Sequence, residues 1–325
     1  MRRGSHSVGL SALICLLLLA SLSACKAIDP RSKIEGTSLL GEDLVRDEAE
    51  GERAEKLDAD LDAALANWSA APSEMTAIWV GRRIAYTGRY REAIQWYSER
   101  IRDFPHSYKL LRHRGHRYIS VRELPLAIAD LSLAALRSRG LPDEVEPDGA
   151  PNRYGIPTST TQSNIYYHLG LAHYVLGDFT SALDAYGRCL DVSRVNNDMW
   201  AATAHWTYLT LRRLEQEDTP GINPGVASFR GDANAVLASL PRELIVIENA
   251  AYRDTLRMYR GELWPDEVLA RNTGGIGMAS AGYGVATWLN LCGEEEKANE
   301  LLHRIIDEAP WSAFGRIAAE ADLAR

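Results

Sequence analysis

The chain has 325 residues, 46% of them hydrophobic and 25% charged, enough apolar material to bury a sizeable core. Its 36 Lys and Arg stand against 44 Asp and Glu, a formal charge of −8. That balance argues against nucleic acid as a partner and against adhesion to anionic lipid through charge alone.

The N-terminus carries Arg2 and Arg3, a largely apolar stretch from Val8 to Ala20, and then Leu22-Ser23-Ala24-Cys25. The apolar run is shorter than the roughly 20 residues that a spanning helix needs. With small residues leading to a cysteine, it resembles the signal and lipobox of a bacterial lipoprotein. The resemblance implies that residues 1–24 are a signal peptide cut before Cys25, whose thiol and amine are then acylated. It also implies a cell-envelope location, anchored by lipid. Lys26 stands in place of the aspartate associated with inner-membrane retention, which points to the outer membrane, facing the periplasm. Loss of Arg2 and Arg3 takes the basic count from 36 to 34 against 44 acidic side chains, a mature formal charge of −10. No later stretch is apolar for long enough to cross a membrane. Of the four cysteines, Cys15 lies in the signal and Cys25 carries lipid, leaving Cys189 and Cys292, 103 residues apart and expected as two buried free thiols.

Residues 25–40 read as a linker and 41–72 as an acidic helical segment. Leu44, Leu57, Leu61, Ala64 and Leu65 fall near one face, and Asp47, Glu50, Glu55, Asp58 and Asp62 keep the others wet. Asn67-Trp68-Ser69 fits a glycosylation sequon, which carries little meaning in a bacterial lipoprotein.

From Ser73 the useful period is that of a helix pair. Gly81 and Ala93 recur 34 residues later as Gly115 and Ala127, and Gly170 and Ala182 repeat the same separation of 12. Around these positions stand Tyr90, Tyr97, Tyr118, Leu131, Phe179 and Tyr186. The period and the small–small–aromatic pattern resemble the tetratricopeptide repeat, and the whole is similar to tetratricopeptide-repeat lipoproteins. The resemblance implies an all-α fold, an α-solenoid of stacked helix pairs over 73–325, in which small residues let the two helices of a repeat approach closely. More diverged units follow at about Asp198 to Leu240 and Glu243 to Arg271. A sixth has Gly293, Ala298, Leu302 and Pro310, and a last helix from Trp311 to Ala324 covers the open end.

Between the second and third units the glycine spacing grows from 34 to 55, an insertion of 21 residues at about 137–158. Pro142, Pro147, Pro151, Pro157, Gly140, Gly149 and Gly155 forbid a helix there and give a loop. It reads as a tolerated surface insertion, since loop length costs little, or as an arm that folds over the groove and helps hold a ligand. Pro220, Gly221, Pro224 and Gly225 mark a second loop at Glu217 to Phe229.

In the repeat family, first-helix positions spaced by three or four face the concave groove. Carried onto the matched units, these are Arg82, Tyr86, Lys109, Arg112, His116, Asn164, Tyr167 and Tyr174, with His205 and Tyr208 from the fourth unit. Such a groove is basic and aromatic inside an acidic molecule, suited to a ligand with carboxylates and an extended backbone. It partly resembles the carboxylate clamp of these repeats, without the full pattern. Several of the tyrosines are equally suited to packing between repeats.

No catalytic constellation stands out. His113 and His116 share a helix face, but a metal site takes three or four ligands and the surrounding Arg112, Arg114 and Arg117 disfavour a cation. His168 and His173 point apart on a helix. Gly274-Gly275-Ile276-Gly277 lacks the preceding strand and the spacing of a phosphate loop, so helix packing or a flexible helix start accounts for it. Ser159 to Ser163 read as the cap of the third unit. The expectation is therefore a non-catalytic scaffold without cofactor or metal, binding an envelope protein or peptide in its groove. The alternatives are a solute-binding lipoprotein for saccharide or peptidoglycan fragments, and an envelope hydrolase using the His113/His116 region.

Overall fold

The structure is a computed structural model describing residues 33–216 and 232–325. The stretch expected to be a signal peptide, the cysteine expected to carry lipid, Cys25, and the second expected loop at Glu217 to Phe229 lie outside these residues. The described part is mainly helical, with fourteen helices and one two-stranded hairpin.

The hairpin is the first departure from the sequence reading. Strands β1 (Ile34–Thr37) and β2 (Asp43–Val45) pair antiparallel through a turn in which Gly41 has φ +89°. Helix α1 (Gly51–Ala70) starts only afterwards. Distant parts of the chain hold the hairpin in place. The Glu35 carboxylate accepts the Arg91 amide at 2.7 Å, the Leu39 amide donates to Glu320 at 3.1 Å, and Trp311 Nε1 donates to the Val45 carbonyl at 2.8 Å. Local periodicity carries no trace of such contacts.

Helix pairs follow in the order the glycine spacing implies: α2 (Glu74–Tyr86) with α3 (Tyr90–Asp103), and α4 (Tyr108–Ser120) with α5 (Leu124–Ser138). After the inserted loop come α6 (Thr161–Leu176) with α7 (Phe179–Ser193). Each start has its own cap. Ser73 and Thr76 form a capping box, Ser107 accepts the Leu110 amide, and Thr160 and Ser163 form a second box, as expected of that serine/threonine cluster. Within each pair the glycine of the first helix lies under a large residue 16 positions later: Gly81 under Tyr97, Gly115 under Leu131, Gly170 under Tyr186. A Cβ at Gly170 would stand 2.6 Å from the buried Tyr186 ring, and one at Gly115 2.7 Å from Leu131.

The turn inside each pair needs a left-handed residue. Gly88 (φ +81°) and Gly177 (φ +83°) supply it at no steric cost. In the second pair the same position, 34 residues after Gly88, is Arg122 with φ +65°, the one non-glycine at positive φ among the described residues. Its guanidinium is buried and donates to both oxygens of Glu320, at 2.9 and 2.6 Å, and to the Trp311 carbonyl.

The C-terminal half comprises α8 (Asn197–Gln216), α9 (Ala233–Ser239), α10 (Ala250–Tyr259), α11 (Pro265–Arg271), α12 (Gly275–Leu291), α13 (Glu295–Glu308) and α14 (Phe314–Ala324). Successive helices pack side by side except α9 and α10, and α2, α4, α6 and α8 also touch in series along one face. The chain then curls back over that face, with α10 and α12 against α8 and α14 against α6. The core runs from Ile119 on α4 to Ala321 on α14. Cys189 is buried as expected, whereas Cys292, just past the end of α12, is exposed. No described helix is long and apolar enough to cross a membrane.

Candidate functional site

Seven of the ten groove residues lie together along α2, α4 and α6, around two connected spaces. The larger is a cleft of about 470 Å³ between α4, α6, α8, α10, α12 and the first turn of α14. Arg112, His116, Asn164 and Tyr167 line it. The smaller, about 110 Å³, adjoins it through Arg112 and His116 and extends to Arg82, Tyr86 and Arg117. Lys109 sits further out on α4, its ammonium 2.7 Å from Glu144.

The remaining three are corrections. Tyr174, His205 and Tyr208 are 0%, 0% and 1% exposed. They do face inward, but α10 and α12 cover that stretch of the inner face. The Tyr174 hydroxyl bonds Tyr283 at 2.9 Å, His205 Nδ1 bonds the Thr255 hydroxyl at 3.0 Å, and the Tyr208 ring stacks on Tyr259 with centroids 4.2 Å apart. They are packing residues, and a ligand has no access to them.

The histidines of the cleft have fixed roles. An Arg117 nitrogen lies 2.7 Å from His116 Nδ1, and a guanidinium only donates, so that nitrogen accepts and Nε2 carries the proton. His168 Nδ1 lies 2.5 Å from the Asn164 carbonyl, so there Nδ1 donates and Nε2 is the acceptor. The two rings stand 4.2 Å apart with Phe314 beside both. Burial, followed by the positive charge of Arg117 and Arg112, holds both imidazoles well below their ordinary pKa, so they are neutral at pH 7. His113 is likewise held neutral by burial and then by Arg112, and its ring stacks on Tyr97.

The opposite wall was not legible in the sequence. Asp198, 2% exposed, accepts the backbone amides of Ile247, Glu248 and Asn249 at 2.7 to 3.0 Å. This collar of charge-assisted bonds fixes the segment that carries Glu248, Asn249 and Tyr252 into the cleft. Tyr252 bonds the Tyr167 hydroxyl at 3.0 Å, and Trp206 donates to the same hydroxyl at 2.9 Å. Ile276, Gly277 and Ser280 close the cleft from α12. The glycines at 274–277 thus form a helix start, one of the two readings the sequence allowed, and that start borders the cleft.

The inserted segment lies over the groove. It is pinned by an antiparallel bridge between Val145 and Thr160, with Glu146 N bonding the Ser159 carbonyl at 3.1 Å. Glu146 meets Arg112 at 2.9 Å, Arg82 donates to the Pro147 carbonyl at 2.6 Å, and Arg83 to the Gly149 carbonyl at 3.1 Å. Thr158, at its far end, donates to Glu248 at 2.7 Å.

Among the described residues no group of three or more His, Cys, Asp and Glu is placed to hold a metal ion. No family model and no curated protein matches the chain.

Proposed function

We propose that the protein is a non-catalytic binding module of the tetratricopeptide-repeat type, held at the bacterial envelope by lipid on Cys25, that takes an anionic part of a protein or peptide partner into the cleft. Support for the repeat comes from the recurring glycine-under-large-residue contact 16 positions apart and from the serial packing of α2, α4, α6 and α8. The observation that carries the binding role is the composition of one concave space. Arg112, already paired with Glu146, and the proton-bearing Nε2 of His116 stand on one side, with Asn164, Asn249 and Ser280 around them, Phe314 beside, and the Glu248 carboxylate, held by Thr158, on the opposite wall. Polar groups converging on one concave space beside apolar walls are the usual mark of a ligand site.

A second reading, a saccharide or peptidoglycan fragment, is favoured by the shape. The cleft is walled by α10, α12 and α14 instead of running through as an open groove, and the aromatic side chains Tyr167, Tyr252 and Phe314 line it.

Gly277→Phe separates a cleft ligand from any other. A Cβ at Gly277 meets only the Asn272 side chain, at 3.9 Å, so the helix tolerates the change while the ring fills the cleft. Thermal stabilisation of the wild type is measured against acidic peptides with free carboxyl termini and against peptidoglycan-derived glycans. Stabilisation by the peptides that vanishes in Gly277→Phe supports the leading reading, and stabilisation by the glycans alone supports the second. A ligand that stabilises both proteins equally overturns the cleft assignment.

A further inference from the structure

The inserted loop is the most unusual tenant of the groove. The sequence asks for a ligand with carboxylates and an extended backbone, and the chain itself supplies one: Leu141-Pro142-Asp143-Glu144-Val145-Glu146-Pro147. Glu144 and Glu146, two residues apart in an extended stretch, both turn to α4, while Val145 between them is 63% exposed. Backbone carbonyls at Pro147 and Gly149 then bind Arg82 and Arg83 of α2. Gly149 lies so close to the Tyr86 hydroxyl and the Arg82 guanidinium that any Cβ there would overlap them. Beneath Glu144–Pro147, beside Met75, Ile78 and Lys109, about 20 Å³ is left, near the space of a single water, while behind Glu146 the smaller space of about 110 Å³ opens.

We propose that this segment is a tethered occupant of a basic docking face formed by Arg82, Arg83, Lys109 and Arg112, and that the face accepts, in trans, an acidic extended peptide carrying carboxylates two residues apart. The proposal rests on the binding-module reading; the face shares Arg112 with the cleft but otherwise lies on α2 and the outer part of α4, away from Gly277, so Gly277→Phe leaves it intact.

Three observations distinguish an occupant from plain packing. First, the segment touches the body through polar and charged groups: along 141–150 only Glu146 and Gly149 are buried, and its apolar Leu141 and Val145 point outward. Second, the central pair is incompletely matched, with Arg112 Nε and Glu146 Oε2 both buried and without a hydrogen-bond partner. A carboxylate free of the tether can meet the guanidinium in a fork and satisfy those atoms. Third, carboxylates crowd this side. Burial, and then the charge of Glu248, raises the Asp148 pKa, so the loop sits against repulsion as well as attraction. A tethered segment competes at an effective concentration in the millimolar range, which masks the face from weak partners until the tether is loosened.

The probe is a fluorescein-labelled peptide with the sequence of residues 141–151, with a second peptide bearing Gln at both glutamate positions as control. Anisotropy is followed with the wild type, with Glu144→Gln/Glu146→Gln, and with 141–151 replaced by a Gly-Ser linker of equal length. The expected result is binding at least ten-fold tighter to either variant than to the wild type, weakened by salt, absent with the control peptide, and unchanged by adding Gly277→Phe. Loss of that binding on Arg82→Ala locates it on this face. In the wild type itself, millimolar peptide should speed hydrogen exchange of the Glu146 amide by displacing the segment. Equal affinity of wild type and folded variants, binding of the control peptide, or unchanged exchange at Glu146 each overturns the proposal. If Gly277→Phe abolishes peptide binding, the peptide occupies the cleft instead, and this face is not its site.

Discussion

Arg122 offers a sharp test of how the molecule is closed, because two opposing effects meet in one residue. Its left-handed backbone, φ +65°, costs a non-glycine residue about 1–2 kcal/mol. Its side chain, 2% exposed, forms a two-pronged pair with Glu320, 1% exposed, which ties the α4–α5 turn to α14. Removing one partner of such a buried pair costs about 3–5 kcal/mol. Arg122→Ala keeps the strain and loses the pair, so it should cost about 3–5 kcal/mol. Arg122→Gly loses the pair but relieves the strain, and should come out about 1 kcal/mol more stable than the alanine variant, the reverse of the usual order of these residues in a helix. Glu320→Gln leaves the guanidinium without its counter-charge and deprives Leu39 N of its carboxylate acceptor, so it should resemble Arg122→Ala. Urea unfolding followed by the helical circular dichroism signal gives the three values at constant slope. Stability of Arg122→Gly no higher than Arg122→Ala would refute the strain. Losses under about 1 kcal/mol in all three would refute closure through this pair.

Glycine substitutions should split by neighbourhood. Gly170→Ala drives a methyl to 2.6 Å from the buried Tyr186 ring, so overpacking of about 1–3 kcal/mol outweighs a helix gain of about 1 kcal/mol, whereas Gly277→Ala should stabilise by up to about 1 kcal/mol; urea midpoints compare them directly. His205, lowered by burial to about 3, is neutral when folded and takes up a proton near pH 6.5 when unfolded. Its contribution is therefore full above pH 6.5 and is lost as pH falls towards its folded value, about 2 kcal/mol between pH 7 and pH 5. His113, His116 and His168 act in the same sense, while the raised carboxyl of Glu35 opposes them. A stability measured as flat or rising from pH 7 to pH 5 would contradict this. Cys292 should react with iodoacetamide in the native protein, and Cys189, buried and with its thiol pushed up to about 12, only after unfolding. Peptide mass spectrometry reads the two separately, and native labelling of Cys189 would be inconsistent with the packing.

The parts legible in the sequence were those set by contacts between near neighbours along the chain. Gly81, Gly115 and Gly170 mark helix pairs because the residue each must clear lies only 16 positions on. The prolines and glycines at 137–158 rule out a helix for purely local reasons. Arg82, Arg112, His116 and Asn164, carried over from the resemblance to the repeat, lie together because first-helix positions three or four apart share one helix face. Illegible was whatever depends on the chain returning on itself. Tyr174, His205 and Tyr208 lie inward as their period requires, yet α10 and α12 close over them. The hairpin at 34–45 takes its support from Arg91, Trp311 and Glu320. Glu248 and Asn249 reach the cleft only because Asp198, about 50 positions earlier, collects the amides around them. Nor did composition reveal that the loop's own glutamates meet the basic residues of the groove.

The claim that the cleft is where the partner binds is best tested in living cells by photo-crosslinking from single sites. A photoreactive residue at Ile276, 69% exposed on the cleft rim, is compared with one at Val195, 86% exposed after α7. A discrete adduct from position 276 alone, identified by mass, is the expected result. No adduct from 276, or the same adduct from both positions, would contradict binding in the cleft.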